Sequence, residues 1–299
     1  MKLLLTGGTG FLGRRLLPRL SAAGHAVTLL LRRAPARAPE VDWRVWQPGA
    51  AQPPFSAGEG FAGVVHLATC YGRAADSDAA VFAANLALPA ALLAALGAQG
   101  GGVFVNADSY YAIDPPPGGA GNRYAVSKRC LRDWGRTLAA AHEGLRFVNL
   151  RLEHVYGAGD DHAKFVNWLA RELLAGPPRI ALSAGTQQRD FIYVDDAAAA
   201  FACVLAQAGQ LPAGASEFGV GRGEALPLHR LVQCLHRLAG SRSELAFGAL
   251  APRAGEIAHS VADCGALKQL GWAADIDLEE GLRRVLAHER AAAGEVDSR

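Results

Sequence analysis

The sequence lacks an excess of charge of either sign and has few cysteines, and each scarcity excludes a class of protein. Its 30 basic and 28 acidic residues give a formal charge of +2. With no surplus of positive potential to hold a polyanion, we expect no nucleic acid partner. The five cysteines are odd in number and widely spaced, without a CxxC pair or a metal-like spacing. They indicate reduced thiols in a cytoplasmic protein and no metal site.

A long apolar run is also missing from the start of the chain. The first run, Leu3–Leu5, is interrupted by Thr6 and two glycines, which makes it too short for a signal-peptide core or a membrane span. We therefore expect no membrane association. The 299 residues, 51% of them hydrophobic, are enough to bury a large core. They predict one main domain with a smaller lobe.

The first thirty residues have the pattern of a strand, a tight turn, a helix and a second strand. Within them, "TGGTGFLG" places Gly7, Gly10 and Gly13 in a GxxGxxG spacing. Small residues permit the turn and let the backbone approach a pyrophosphate, while the helix N-terminus offers N–H groups to the phosphates. The pattern predicts a dinucleotide site, and an ordinary turn is the alternative.

The end of the second strand predicts which dinucleotide is bound. An acidic residue there would bind the ribose 2′-hydroxyl of NAD, whereas arginine would accept a 2′-phosphate. In this sequence "LLLRR" ends in Arg32 and Arg33. The pair favours NADP(H) over NAD(H), and two solvated loop cations are the alternative.

Strands and helices continue to alternate beyond this point. "AGVVHLAT" reads as a strand in which His66 is a core residue, a helix follows from Ser77 or Asp78, and "GGVFVNADS" is the next strand. The alternation predicts an α/β fold with a doubly wound parallel sheet of the Rossmann class. Ligands of such sheets bind outside the carboxyl ends of the strands. Asp108 and Ser109 lie at such an end.

The segment "YAVSK" carries the strongest indication of chemistry. Tyr124 and Lys128 are four residues apart and therefore share one face of a helix. An ammonium beside a phenol favours the charged phenolate, which predicts a pKa of Tyr124 shifted towards neutral pH. The alternative is a surface tyrosine and lysine on an ordinary helix.

These motifs together resemble the short-chain dehydrogenase/reductase superfamily. Later segments follow the order of its extended, nucleotide-sugar-modifying branch, the NAD(P)-dependent epimerase/dehydratase family; they are "LRLEHVYG" (150–157), "QQRDFIYVDDAAAAF" (187–201), "EFGVGRG" (217–223) and "PRAGEIAHSVADCGALKQLGW" (252–272). "LRLEHVYG", "AKFVNWLARELL" and "QQRDFIYVDD" are most similar to sugar-nucleotide 4-ketoreductases of the CDP-abequose and CDP-paratose synthase type.

The resemblance implies roles for individual residues. Tyr124 would be the general acid, and Lys128 would hold the nicotinamide ribose and tune the phenol. The implied cofactor-binding residues are Gly7, Gly10, Phe11, Leu12, Gly13, Arg32, Arg33, Leu67, Ala68, Asn85, Tyr124 and Lys128. The implied substrate-binding residues are Asp108, His154, Lys164, Arg189 and Arg253, with His154 standing where related enzymes often carry Asn.

One position departs from the pattern of the family. Ala107 stands where such enzymes usually place a catalytic Thr or Ser. Ser109 lies two residues on, and positions two apart in a strand share a face, so we name Ser109 as the third catalytic candidate. If no hydroxyl is supplied, the alternative is a non-catalytic NADP-binding sensor or scaffold.

The resemblance also implies a domain organisation and an activity. We expect a Rossmann domain over 1–160 and, over 161–299, a smaller α/β substrate-binding lobe from which 187–204 returns to the Rossmann domain. The expected reaction is NADPH-dependent reduction of the 4-keto group of a nucleotide-linked 6-deoxyhexose, with CDP favoured, as in lipopolysaccharide O-antigen biosynthesis. Epimerisation or dehydration with bound NAD is the alternative, although no Glu adjoins Asp108 as a dehydratase would need. The oligomeric state stays open between a monomer and a homodimer.

Overall fold

The computed structural model describes residues 1–112, 122–252 and 255–297. The strands in chain order are β1 (Lys2–Thr6), β2 (Ala26–Leu31), β3 (Asp42–Val45), β4 (Gly63–His66), β5 (Gly102–Ser109), β6 (Leu145–Leu152), β7 (His154–Tyr156), β8 (Arg179–Leu182), β9 (Gln188–Arg189), β10 (Phe191–Tyr193), β11 (Gly214–Val220), β12 (Leu226–Pro227) and β13 (Glu244–Phe247). The helices are α1 (Phe11–Ala22), α2 (Asp78–Phe82), α3 (Leu88–Ala98), α4 (Arg123–Ala141), α5 (Phe165–Ala175), α6 (Val194–Ala206), α7 (Leu228–Ala239), α8 (Gly265–Gln269) and α9 (Leu278–Asp297).

A seven-stranded sheet in the order β11-β6-β5-β4-β1-β2-β3 forms the centre of the fold. The pairs from β6 through β5, β4, β1 and β2 to β3 are all parallel. The chain builds outward from β1 to β3 and then crosses to β4 on the other side of β1, so the strand order reverses between β1 and β4. This is the doubly wound Rossmann architecture that the sequence predicts, and such a reversal is where these sheets bind ligands.

Buried apolar strands hold this sheet together. Leu3, Leu4 and Leu5 of β1 are completely buried, as expected for a parallel sheet that is covered on both faces. The helix over 78–98 covers one of the faces, and its leucines pack in the main core with Phe104 and Phe147. This helix is long and apolar enough to cross a membrane by composition alone, and in the structure it is a core helix.

The same helix is irregular in its middle. Ser77 caps its N-terminus by accepting a hydrogen bond from the Ala80 N–H at 3.1 Å. Between α2 and α3, residues Ala83–Ala87 form a π-helical turn. Such turns are rare and are frequent at functional sites. Asn85 lies within it.

The chain divides into two compact units. Unit 1 comprises Met1–Leu152, Ala198–Gly219 and Ala266–Trp272, and unit 2 comprises the remaining segments, 153–197, 220–265 and 273–299. This division differs from the predicted one at the end of the first segment, at both limits of the return, which runs over 198–219 instead of 187–204, and in a further return over 266–272. The chain leaves unit 1 directly after β6 rather than at residue 160, and its return extends as far as β11 because β11 pairs with β6 at the edge of the central sheet.

Unit 2 contains three two-stranded pairs, β10 with β7, β12 with β9, and β13 with β8. A buried carboxylate, Asp190, fixes its loops by accepting hydrogen bonds from three backbone N–H groups. These belong to Arg222, Gly223 and Ala262, at 2.8, 2.9 and 3.1 Å. A carboxylate with so many backbone donors is tightly held.

Candidate active site

The glycine turn after β1 is packed so closely that it requires glycine at two positions. Gly7 has a φ of +69°, and a Cβ there would lie 2.6 Å from the Ala68 nitrogen. A Cβ on Gly13 would lie 2.2 Å from the Gly7 carbonyl oxygen. Among the described residues, the one atom within 4 Å of a Cβ on Gly10 is that same oxygen, at 3.1 Å. The backbone at Gly10 is therefore exposed and open to approach.

The N-terminus of α1 fits a dinucleotide pyrophosphate. Gly10 is the N-cap residue and offers no side chain to the free N–H groups, and the first turn, which begins with Phe11 and Leu12, contains no acidic residue. The partial positive charge of the helix end is thus not neutralised locally. Backbone N–H groups of this kind bind phosphate in Rossmann folds.

Two further segments border this turn at the strand ends. Arg32 and Arg33 follow β2 with exposed side chains, and within the described residues neither guanidinium has an ion-pair partner. After β4, the N–H groups of Leu67 and Ala68 bond to the backbone oxygen and the hydroxyl of Thr6, at 3.2 Å each. The predicted cofactor residues thus lie along one edge of the sheet.

The structure brings the three catalytic candidates together. Asn122 caps α4 by accepting from the Tyr124 N–H at 2.9 Å. The half-buried Tyr124 phenol lies near enough to the Ser109 hydroxyl for that hydroxyl to lower its pKa. The Lys128 Nζ lies 5.7 Å from the centroid of the Tyr124 ring and donates to the Ala107 carbonyl oxygen at 2.7 Å. Residue 107 therefore contributes a backbone acceptor, and Ser109 is the residue that presents a hydroxyl to the phenol.

The prediction of a lowered pKa for Tyr124 is wrong in this structure. Burial raises the pKa of Tyr124 well above its usual value, the neighbouring Tyr71 phenol adds to the rise, and the hydrogen bond from Ser109 opposes it. Lys128 does not bond to the phenol, so its charge does not overcome burial. The phenol is held in its protonated form at neutral pH, as a proton donor requires.

Lys128 is enclosed in the same part of unit 1, with 2% of its surface exposed. Burial lowers the pKa of Lys128 to about 8, and the charge of Asp108 opposes this shift.

His66 lies at the end of β4, the strand that pairs with β5. It is fully buried as predicted, and its Nδ1 lies 2.9 Å from the Thr6 hydroxyl. Burial and the nearby Lys128 lower the pKa of His66 to about 3, so it is neutral.

A ladder of buried amides extends across β5 and β6. Asn106 and Asn149 are register partners, and Nδ2 of Asn106 donates to Oδ1 of Asn149 at 2.7 Å. Nδ2 of Asn149 in turn donates to Oδ2 of Asp108 at 2.7 Å. Burial raises the pKa of Asp108 while this bond and Lys128 oppose the rise. Asp108, which the resemblance assigns to the substrate, is thus 2% exposed and enclosed by protein atoms.

Asn85 also faces protein. It is buried in the π-helical turn, and its amide bonds to the backbone of Cys70 and to the hydroxyl of Ser127. Its contact with a dinucleotide stays a prediction.

Unit 2 contains the other residues that the resemblance assigns to the substrate. Arg189 is buried, its Nη1 donates to the Gln188 carbonyl oxygen at 2.8 Å, and its Nη2 lies 3.4 Å from Oε1 of Glu256. Burial and the charge of Arg189 lower the pKa of His154 to about 3, which keeps this histidine neutral. Their segments adjoin, since the His154 N–H donates to the carbonyl oxygen of Asp190 at 3.0 Å.

Lys164 and Arg253 are the other two substrate candidates. Lys164 precedes α5 and forms an ion pair of 3.1 Å with the buried carboxylate of Asp160. Arg253 lies outside the described residues.

Sequence reasoning missed Asn149, Ser127 and Tyr71. Asn149 has a detectable signal, because an amide in the middle of the apolar run "RFVNLRL" needs a buried partner. Ser127 adjoins Lys128 inside "YAVSK". Tyr71 gives no signal in the sequence, although its ring centroid lies 5.4 Å from that of Tyr124.

Comparison with known proteins identifies the family of this chain. Residues 3–218 match the model of the NAD dependent epimerase/dehydratase family. The chain is 30% identical over 291 residues to the CDP-abequose synthase of Salmonella muenchen, covering 96% of this chain and 97% of the relative.

Two solved structures share the fold. The UDP-glucose 4-epimerase of Thermus thermophilus in complex with NAD is 25% identical, with a TM-score of 0.77 over 98% of this chain and 100% of that one. The UDP-glucose-4-epimerase of Stenotrophomonas maltophila with bound NAD and formylated UDP-arabinopyranose is 22% identical, with a TM-score of 0.84 over 99% of each chain. The chain belongs to the NAD dependent epimerase/dehydratase family and is an NAD(P)-dependent, sugar-nucleotide-modifying enzyme of the extended short-chain dehydrogenase/reductase type.

Proposed function

We propose that this enzyme is an NADPH-dependent ketoreductase that reduces the 4-keto group of a nucleotide-linked 6-deoxyhexose, with CDP as the favoured nucleotide. The observation that carries the proposal is the grouping of Ser109 and Tyr124 with the buried Lys128, whose Nζ lies 5.7 Å from the centroid of the Tyr124 ring. It supplies a hydroxyl, a neutral phenol and a cation in one place, although Ala107 occupies the usual position of the hydroxyl. The similarity to CDP-abequose synthase over nearly the whole chain supports the sugar and the nucleotide.

In this reaction the chain's own residues bind the carbonyl oxygen of the sugar and supply its proton. When bound, NADPH supplies the hydride that adds to C4. Ser109 donates a hydrogen bond to O4, which stabilises the negative charge that develops there. Tyr124 transfers its phenolic proton to O4, so that an O–H bond forms on the sugar and one breaks on the phenol. Lys128 stabilises the phenolate left behind, because an opposite charge nearby favours the ionised form.

NADPH is favoured over NADH by Arg32 and Arg33, whose exposed guanidinium groups follow β2 without an ion-pair partner in the described residues. Arginine suits a 2′-phosphate because its planar donors match phosphate oxygens. We also propose a cytoplasmic location, which the five free cysteines support.

An epimerase that uses tightly bound NAD is the second candidate, since the Thermus thermophilus structure is an epimerase with NAD. One assay separates the two. Purified enzyme is mixed with NADPH or NADH and with 4-keto-6-deoxyglucose linked to CDP, UDP, GDP or dTDP, and nicotinamide absorbance is followed. The proposal expects stoichiometric loss of NADPH with the CDP sugar.

The control for this assay is Tyr124→Phe, which keeps the ring and removes the proton donor. Loss of general acid catalysis is expected to lower turnover about 10²- to 10⁴-fold. Interconversion of 4-hydroxy sugars without net loss of NADPH supports the epimerase and contradicts the proposal.

A further inference from the structure

Asn149 lies on the face of the central sheet that α4 covers. The helix packs so closely on this face that a Cβ on Gly135 would lie 2.3 Å from Cε2 of Phe147. Because Phe147 and Asn149 are two residues apart in β6, they share that face. With 1% of its surface exposed, Asn149 needs hydrogen-bond partners, since a buried polar group without them is costly. The partners of its amide therefore indicate its role.

The Asn149 amide is bonded at both ends. Its Nδ2 donates to Oδ2 of Asp108 at 2.7 Å and lies 3.5 Å from Oε2 of Glu217. Its Oδ1 accepts from Nδ2 of Asn106 at 2.7 Å. An ionised carboxylate can only accept hydrogen bonds, so the NH₂ end of the amide has to face the two acids. The bond from Asn106 fixes this orientation, because it occupies the oxygen end.

The two carboxylates have different surroundings. Glu217 on β11 forms ion pairs with Arg136 and Arg151, at 2.9 and 3.4 Å, so two arginines compensate its charge. Asp108 has 2% of its surface exposed, and its Oδ1 has no hydrogen-bond partner among the described residues. The carboxylate of Asp108 therefore depends on the amide of Asn149 far more than that of Glu217 does.

The charge of Asp108 acts on Lys128. The Nζ of Lys128 donates to the carbonyl oxygen of Ala107, the residue that precedes Asp108, at 2.7 Å. Burial raises the pKa of Asp108, while the bond from Asn149 and the charge of Lys128 oppose the rise. Burial lowers the pKa of Lys128 to about 8, and the charge of Asp108 opposes that shift in turn. Each group thus favours the ionised form of the other.

The other titratable and charged groups that face this pair come from β4 and α4. Burial raises the pKa of Tyr124 above its usual value and lowers the pKa of His66 to about 3, so both are neutral near pH 7. Arg132 favours the ionised form of Asp108 and stays cationic throughout the neutral range. Among the described residues, a change in rate near pH 8 therefore reports on Asp108 and Lys128.

We propose that Asn149 is a positioning residue that holds Asp108 as a charged carboxylate beside Lys128, with Asn106 orienting its amide; the effect on turnover rests on the proposed function, in which Lys128 stabilises the phenolate of Tyr124. Without the amide, Asp108 takes up a proton at higher pH, and the ammonium of Lys128 loses the charge that favours it. Lys128 then becomes neutral at a lower pH than in the wild-type enzyme.

The test is the pH profile of Asn149→Leu, which keeps the branched shape of the side chain and removes its polar atoms. The alkaline limb of kcat/KM, expected at about pH 8, should move to lower pH by about one unit, as loss of a nearby opposite charge causes. At pH 8 kcat/KM is then about fivefold below wild type, whereas at pH 6 the two enzymes agree within about twofold. A structural loss alone would lower both rates equally.

Asp108→Asn shows whether Asn149 acts through Asp108. The single variant removes the charge itself and should move the limb in the same direction. Adding Asn149→Leu to it should move the limb no further, because the two residues act as one unit. A wild-type limb in Asn149→Leu, or shifts that add in the double variant, overturns the proposal.

Gln99→Leu is the matched control, since it also replaces a partly buried amide by leucine. Gln99 follows α3 and donates to the carbonyl oxygens of Phe61 and Gly101. These lie by the amino end of β5, whereas Asp108 lies by its carboxyl end. The limb of Gln99→Leu should stay at the wild-type pH, and an equal shift in this variant overturns the proposal.

NMR of the lysine side chains separates this proposal from the proposed function. The chain has four lysines, Lys2, Lys128, Lys164 and Lys268, so isotope-labelled lysine gives few signals, and Lys128→Arg identifies that of Lys128. Its titration midpoint should fall in Asn149→Leu and stay at the wild-type pH in Gln99→Leu.

If the wild-type enzyme reduces no sugar nucleotide, the proposed function fails and this midpoint alone decides the role of Asn149. Asn106→Leu, which frees the oxygen end of the amide, replaces Asn149→Leu if that variant does not fold, and its midpoint should also fall. An unchanged midpoint in the variant that folds overturns the proposal.

Discussion

At the residue scale, the first prediction is that Ser109 supplies the catalytic hydroxyl that Ala107 lacks. The Ser109 side chain lies near the Tyr124 phenol, and we expect Ser109→Ala to lower kcat on the order of 10²- to 10³-fold, as loss of one donor to a developing oxyanion does. The melting temperature of Ser109→Ala should stay close to that of the wild-type enzyme. A silent Ser109→Ala together with a gain of turnover in Ala107→Thr would place the hydroxyl at 107 instead.

The proposed preference for NADPH gives a second prediction, at Arg32 and Arg33. Replacing both with alanine should weaken NADPH binding by removing charge-assisted bonds worth about 1.5–3 kcal/mol each. NADH has no 2′-phosphate, so its Kd should hardly change. Fluorescence titration with both cofactors measures the two constants, and an equal loss for NADH and NADPH contradicts the assignment.

The charge on Lys128 makes the reaction sensitive to pH. The pKa of Lys128 is lowered by burial to about 8, against the opposing charge of Asp108, while His66 and Tyr124 nearby are neutral. Lys128 must be protonated to stabilise the phenolate, so kcat/KM should fall as pH rises through about 8.

Asp108→Asn removes the charge that opposes the shift in the pKa of Lys128. The pKa of Lys128 should then fall further, and the alkaline limb of the kcat/KM profile should move to lower pH. Asp133→Asn, which changes an exposed carboxylate on α4, is the control and should leave the limb in place. A profile that is the same in Asp108→Asn and wild type refutes the coupling.

At the scale of elements, the turn between β1 and α1 separates a folding requirement from a binding requirement. Gly13→Ala places a Cβ 2.2 Å from the Gly7 carbonyl oxygen, so the backbone must move and unfolding should become easier by about 1–3 kcal/mol. Gly10→Ala meets that oxygen only at 3.1 Å, at a φ of −78° that alanine adopts freely.

We therefore expect Gly10→Ala to keep the melting temperature and to weaken cofactor binding, because its methyl group enters the path of the pyrophosphate. Calorimetry and cofactor titration distinguish the two variants. Equal cofactor affinity in Gly10→Ala and wild type would show that the dinucleotide does not bind at this turn.

At the scale of the whole molecule, each unit depends on a buried carboxyl group with a different task. Asp108 in unit 1 bonds to an amide ladder beside Lys128, whereas Asp190 in unit 2 accepts from the backbone of Arg222, Gly223 and Ala262. Asp190→Ala leaves these three buried N–H groups without their acceptor. Because each such loss costs about 1–3 kcal/mol, partly relieved by relaxation, we expect a total of about 2–4 kcal/mol.

Urea unfolding measures this loss, and hydrogen exchange locates it. Exchange should accelerate at 220–223 and around Ala262, while the peptides of β1 and β4 in unit 1 stay protected. If stability changes by less than about 0.5 kcal/mol, the range of an ordinary surface substitution, Asp190 does not hold unit 2 together.

The sequence by itself determined the features that depend on residues close together in the chain. The glycines at 7, 10 and 13 specify a turn because their spacing and their lack of a side chain are local properties. Tyr124 and Lys128 share a helix face because they are four residues apart, and alternating strands and helices led to the doubly wound sheet. Similar local patterns predicted the capping of α2 by Ser77 and the burial of His66.

Only the tertiary structure decided the properties that depend on residues distant in the chain. The pKa of Tyr124 was predicted with the wrong sign, because spacing places Lys128 near the phenol but does not show that its Nζ bonds to Ala107 or how deeply the phenol is buried. The partners of Asp108 and Asn85 lie on β6 and α4. The return of residues 198–219 to unit 1 follows from the pairing of β11 with β6. Burial and long-range pairing arise only when the whole chain packs, and hence no local pattern encodes them.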